Sequence, residues 1–213
     1  MKDSREKIFA AIRRGLHESE RFKAERSNQS PLKKVLDAEF ESMFEKLQSE
    51  LKRLGGEAIV FNSENESSKF IADHIGTNVF IYDEILSAHK GIIDNINVPV
   101  KTSSNFDFGY NKREAAVFEA AISPCVACIA ETGTVVIANN MRLPAALATK
   151  LFIIADAQLL IPSLDDLFTD KYKSFKGSNL FLITGPSRTA DIEKELVTGV
   201  HGPKEVYVLF IES

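Results

Sequence analysis

Four short stretches of this 213-residue sequence carry the residue types from which a reactive or binding site is made. The first is Thr184-Gly185-Pro186-Ser187-Arg188-Thr189-Ala190-Asp191-Ile192-Glu193, which follows the apolar run NLFLI at 179–183. Gly185 permits a tight turn, and Pro186 has no N–H to leave unsatisfied at a helix start. Ser187 or Thr189 can act as N-cap, with Asp191 and Glu193 favourably placed in the first turn. This spacing predicts a helix over 188–198 that buries Ile192 and Leu196. The open amides of such a start, with two hydroxyls and Arg188, would bind a small carboxylate or phosphate. Simple capping, with Arg188 paired to an acid, is the alternative. Neither a Walker A sequence nor GxGxxG is present, so a nucleotide fingerprint is absent.

The second stretch is Glu131-Thr132-Gly133-Thr134, which runs into TVVIA at 134–138. A small-residue turn beside a buried strand can aim Glu131 into a cleft, where partial burial would raise its pKa. That suits general acid–base work or nucleophilic attack; the plainer alternative is a carboxylate that fixes a loop. The third is Val200-His201-Gly202-Pro203, before the last apolar run. Gly and Pro fix the backbone around His201, which favours a positioned role as acid, base or hydrogen-bond donor. Asp191, Glu193 and His201 have no recognised metal-ligand spacing, and no metal or cofactor is assigned to the chain. The fourth is Cys125-Val126-Ala127-Cys128. A C-x-x-C suggests zinc or redox chemistry, but these are the chain's two cysteines and the flanks are apolar. They read as two buried small hydrophobes.

The elements that must position these residues alternate in period. Leu32, Leu36, Phe40, Met43, Leu47, Leu51 and Leu54 recur every three to four residues after Pro31, which predicts a helix of about 23 residues ended by Gly55-Gly56. A shorter helix carries Ile8, Phe9, Ile12 and Leu16, and the polar stretch 17–30 reads as a linker. The long apolar stripe faces the protein's own core, or, as the sharper alternative, docks a partner or a second copy in a homo-oligomer. Beyond Gly56, EAIVF (57–61), NVFIY (78–82), TVVIA (134–138), LFIIA (151–155), NLFLI (179–183) and VYVLFI (206–211) read as strands. Several are continuous rather than alternating, as in strands buried on both faces. Helical candidates lie between them at 64–74, 83–90, 112–122, 163–170 and 188–198. The chain is therefore expected to be α/β, with helices covering a largely parallel sheet. It divides into a helical lead-in (1–54) and an α/β domain (55–213), with ligands expected at the carboxyl edge of the sheet.

Composition removes several function classes. The chain is 44% hydrophobic and 26% charged, with a net charge of −4, which describes a folded protein. Residues 1–54 hold 13 Lys and Arg against 10 Asp and Glu, interleaved, which is not a nucleic-acid-binding pattern. Two cysteines cannot hold a cubane iron–sulfur cluster, which takes four thiolates. No run reaches the ~20 apolar residues of a membrane span, and the start lacks the apolar core of a secretion signal. A reducing, cytoplasmic compartment is the default expectation.

Two of the motifs carry a resemblance. LITGPSRTADIEKELVTGVHGPKEVYVLFI, near the end of the chain, and AETGTVVI at 130–137 resemble the lactate-utilisation protein C family, the LUD-domain proteins. The resemblance covers roughly residues 55–213. It implies a three-layer α/β fold, with helices on both faces of a sheet, similar to the ribose-5-phosphate isomerase, glucosamine-6-phosphate deaminase and CoA-transferase group. It also implies a part in oxidising L-lactate to pyruvate beside iron–sulfur partner proteins. That agrees with the cysteine count. Between the motifs the family shows Leu-Pro-x-x-His before a strand, whereas here Lys150 stands where that His would. A stand-alone isomerase or transferase using Glu131 on a phosphorylated or CoA-linked metabolite is one alternative. A non-catalytic scaffold is the other.

Overall fold

A computed structural model describes residues 33–105, 118–138, 143–169, 180–190, 196–198 and 202–211. The chain divides into two compact units, residues 1–38 and 39–213. The predicted helix is α1, Lys33–Arg53, and it stops where the glycines require. Gly55 adopts φ +91, and the amides of Gly55 and Gly56 donate to the carbonyls of Lys52 (3.0 Å) and Leu51 (2.9 Å). This is a Schellman closure, in which a left-handed glycine satisfies two of the last free carbonyls. From Glu39 onward α1 belongs to the same compact unit as the α/β body.

The body is built on six parallel strands. In chain order the elements that supply or flank them are β1 (Glu57–Phe61), α2 (Glu64–His74), β2 (Val79–Ile81), α3 (Asp83–Ala88), β3 (Val100–Thr102) and β4 (Ala120–Pro124). Then come β5 (Ala127–Ile129), β6 (Thr134–Ala138), α4 (Leu143–Leu147), β7 (Lys150–Ala155), β8 (Leu160–Ile161) and α5 (Leu164–Leu167). Last are β9 (Leu180–Ile183), β10 (Arg188–Ala190), β11 (Leu196–Thr198) and β12 (Glu205–Ile211). The large sheet has the order β1-β12-β7-β4-β2-β3, and every pairing in it is parallel. Its central strands are buried on both faces, which is why LFIIA and VYVLFI read as unbroken apolar runs.

One face of this sheet offers Ile81, Ile122, Phe152, Ile154 and Leu209 to Ile71 and Ile75 around α2 and to Ile85 of α3. The other offers Ala58, Leu151, Ile153, Val208 and Phe210 to Leu47 and Leu51 of α1. The rings of Phe40 and Phe44 meet Phe210 edge-on at 5.7 and 5.5 Å. Leu47 and Leu51 are wholly buried, so each contributes about 1.5–3 kcal/mol of apolar transfer. From Phe40 onward the stripe on α1 thus faces the protein's own core.

Three sequence expectations are corrected. TVVIA and NLFLI are not strands of the main sheet. They pair with each other in a second, four-stranded sheet of order β8-β5-β6-β9, which shares the α1-side core with α1 itself. Of the helix expected over 112–122, residues 112–117 lie outside the described residues and Ala120–Pro124 is a strand; its small residues Ala120 and Ala121 fit the crowded position between β2 and β7. Finally, the described ends of the stretch 188–198 are strands, not helix. Arg188–Ala190 and Leu196–Thr198 pair antiparallel, Thr189 opposite Val197 and Arg188 opposite Thr198. The β-branched Thr189, Val197 and Thr198 suit that extended pairing, and with it the predicted helix start disappears.

Candidate functional site

The pairing of β6 with β9 brings the two motifs together. Val135 lies opposite Ile183, so Thr134 and Thr184 sit side by side at the strand ends. Thr132 Oγ1 donates to Thr134 Oγ1 (2.7 Å), and the hydroxyls of Thr134 and Thr184 share a hydrogen bond of 3.1 Å. Thr134 is buried, whereas Thr132 and Thr184 are exposed. A relay of three hydroxyls therefore runs from the Glu131–Thr134 turn to the Thr184–Arg188 turn, joining residues 50 positions apart.

Beside it lies a cleft of ≈ 240 Å³. Ile137 of β6 and Phe181 and Ile183 of β9 form one side, Ala145 and Ala146 of α4 another, and Thr184, Ser187, Gly202 and Pro203 the rim. The Ser187 amide donates to the Pro203 carbonyl (2.7 Å), and the Lys204 amide donates to Thr149 just before β7 (2.7 Å). These contacts place the cleft at the amino edge of the six-stranded sheet, not at the carboxyl edge where ligands of open α/β sheets usually lie. The second sheet makes the difference: β6 starts from one motif turn and β9 runs into the other, whose Ser187 is bonded to Pro203 just before β12.

Both motif turns are seated on the last turns of α1. Gly133 has φ +65, and a Cβ there would lie 2.7 Å from the Leu51 amide nitrogen and 2.9 Å from the Glu50 carbonyl carbon. At Gly185, with φ +119, a Cβ would reach Leu54 Cβ at 3.2 Å. Arg188 Nη2 donates to the Leu54 carbonyl (2.7 Å), a further cap on the helix and a positive charge at the negative end of its dipole. Arg188 thus holds a helix end, instead of pairing with an acid or standing at a helix start. Its remaining donors bond no described residue.

Lys150, at the position of the family's His, does for α2 what Arg188 does for α1. Its Nζ donates to the His74 carbonyl (2.7 Å) and lies 4.0 Å from Glu205 Oε1. Glu119 nearby accepts from the Thr77 amide (2.9 Å) and hydroxyl (3.0 Å). Those bonds, the amide's above all, with help from Lys150, hold its carboxyl below the usual glutamate range. Tyr207 donates to Glu205 (2.8 Å), and burial followed by that carboxylate pushes its phenol up to about 12. This cluster secures helix ends at the amino edge.

The other sequence candidates stand as follows. Glu131 is exposed, and its amide donates to the Pro162 carbonyl (3.0 Å); the partial burial expected of it is not found, because its turn projects from the end of β5. His201, Asp191 and Glu193 lie outside the described residues, as does the side chain of Thr189. Cys125 and Cys128 are free, buried thiols with sulfurs 3.8 Å apart, packed in the main core. Their mutual hydrogen bond and burial push the Cys128 thiol well up. Among the described residues no cluster of three metal-ligating side chains occurs, and no helix is long and apolar enough to cross a membrane. Sequence reasoning missed the apolar lining of the cleft. The sequence carries no signal for it, since Leu180–Ile183 is apolar throughout and only the fold packs Phe181 and Ile183 while leaving Leu180 and Leu182 exposed.

Parallel sheet, second sheet and amino-edge cleft define an α/β protein whose two motif turns converge on one helix end. Residues 44–211 match the LUD domain family, and the chain belongs to that family. It is 35% identical over 88 residues to a lactate utilization protein C of Anoxybacillus flavithermus, covering 39% of this chain and 40% of that one. It is 34% identical over 93 residues to a lactate utilization protein C of Halalkalibacterium halodurans, covering 40% of each. An uncharacterised protein of Neisseria meningitidis serogroup B is 28% identical over 102 residues, covering 44% of this chain and 42% of that one. The matched segments therefore span less than half the length of these relatives. A crystal structure of a DUF162 family protein from Deinococcus radiodurans shares the fold, with a TM-score of 0.60 at 14% identity over 81% of this chain and 98% of that one.

Proposed function

We propose that this chain serves in lactate utilisation, as a subunit that binds a small carboxylate or phosphate while iron–sulfur partner proteins carry the electrons. The relatives named lactate utilization protein C support the role. The cysteine count supports the division of labour: two thiols, both buried, cannot hold a cubane cluster. Free thiols also suit a reducing cytoplasm.

The observation that carries the assignment of the site is the convergence of both motifs beside one cleft through the Thr132–Thr134–Thr184 relay. In this reading the relay and Ser187 offer hydroxyl donors to the ligand, and Arg188 offers the donors not spent on Leu54. Gly133 and Gly185 hold the turns, while Thr189 and Asp191 complete the binding set. Glu131 and His201 are assigned the proton transfers, with Glu131 working from the solvent side of its turn.

Deleting the gene should abolish growth on L-lactate, and growth should return with the wild-type copy but not with Thr134→Val. Unaffected growth of a strain with no second copy would overturn the proposal. The packing of Gly133, Gly185 and Arg188 on α1 favours a second reading, in which the motifs only hold loops and the protein is a scaffold. Co-purification with iron–sulfur proteins, without any thermal shift from lactate, pyruvate or phosphate, would select it.

A further inference from the structure

The cleft is lined for something longer than lactate. Its described lining has no charged side chain, and most of it is hydrocarbon from Ile137, Phe181, Ile183, Ala145 and Ala146. Its hydroxyls come from one segment only, Thr184 and Ser187 of the motif turn. The Ser187 side chain packs closely on Gly202 at the rim. A Cβ on Gly202 would meet Ser187 Cβ at 2.9 Å and Oγ at 3.2 Å, so a side chain there would displace the rim. Lactate has one methyl group to set against six apolar side chains, Leu182 being the sixth, besides the ring of Pro203. A carboxylate taken into such a lining without partners is heavily penalised, so the polar head belongs at the hydroxyl-bearing rim.

We propose that the cleft is an aliphatic-chain subsite, and that the natural ligand is a monocarboxylate, such as a 2-hydroxy acid, with a chain longer than that of lactate. The head meets the Thr184–Arg188 turn, and the chain lies against Phe181, Ile183 and Ala146. The inference rests on this cleft being the ligand site of the proposed function, and it names the class of that ligand.

Calorimetric titration of the purified full chain with two series tests it: 2-hydroxy acids from lactate through 2-hydroxybutyrate and 2-hydroxyhexanoate to 2-hydroxyoctanoate, and n-alkanols of matching length. Affinity in the acid series should rise about fourfold per methylene until the cleft is full, then level off. Ala146→Leu should bring the levelling point to a shorter chain, and Phe181→Ala should move it to a longer one. Circular dichroism establishes that each variant is folded, and the opposite shifts mean that either variant alone suffices. Lactate binding with no dependence on chain length would overturn the chain subsite and leave the small-anion reading standing. A chain-length dependence that is equal for acids and alkanols would keep the subsite and defeat the anion reading. Binding by neither series would overturn the subsite.

Discussion

Gly133→Ala tests whether the Thr-Gly-Thr turn is built to approach a helix. The native φ of +65 is left-handed, which costs an alanine about 1–2 kcal/mol. Its Cβ would also lie 2.7 Å from the Leu51 nitrogen and 2.9 Å from the Glu50 carbonyl carbon, both backbone atoms of α1. Neither can swing aside as a flexible side chain would, so the helix itself must shift, at an overpacking cost of about 1–3 kcal/mol. The sum is about 2–5 kcal/mol, which in a chain of this size lowers the melting temperature by roughly 5–20 °C. Thermal denaturation followed by circular dichroism reads it directly. Gly133→Asn separates the two causes, because asparagine tolerates the left-handed backbone but carries the same Cβ. Both variants should be destabilised, alanine more. An asparagine variant melting with the wild type would refute the close approach and leave only the backbone angle.

Other expectations follow from the helix ends and the thiols. Arg188→Ala removes the exposed cap on Leu54 and should lower stability by about 0.5–1 kcal/mol, with Arg188→Lys intermediate; a denaturant melt measures it. Glu119, held below the ordinary glutamate value of 4.5, stabilises the fold above that pH, and its contribution fades as pH falls through the lowered value. The stability gap between the wild type and Glu119→Gln should therefore be full at neutral pH and close on acidification, as melts across that range would register. Cys125 and Cys128 should resist a thiol-modifying reagent in the folded protein and react fully in guanidinium, since both are buried and the Cys128 thiol is pushed up. Rapid native labelling would contradict that burial.

Much of the large sheet was legible because burial on both faces leaves an unmistakable composition. LFIIA and VYVLFI could be little else, and Gly55-Gly56 marked the end of α1. What escaped the sequence was decided by partners distant along the chain. The segment 188–198 carries helix punctuation in Pro186, Ser187, Asp191 and Glu193, yet Arg188 is tied to Leu54 and Thr189 pairs with Val197. Ala120–Pro124 has modest strand propensity and becomes β4 because β2 and β7 flank it. The two motifs were visible as sequence, but not that β6–β9 pairing would put Thr134 against Thr184. Nor did local sequence show that a second sheet would carry them to the amino edge.

Cutting the chain at Gly55 would remove more than an appendage. Leu47 and Leu51 would leave Ala58, Val208 and Phe210 facing water, and Arg188 and the motif glycines would lose the surface they are fitted to. A fragment beginning at β1 is therefore expected to aggregate instead of surviving as a smaller domain. The compact unit that keeps this packing whole is residues 39–213.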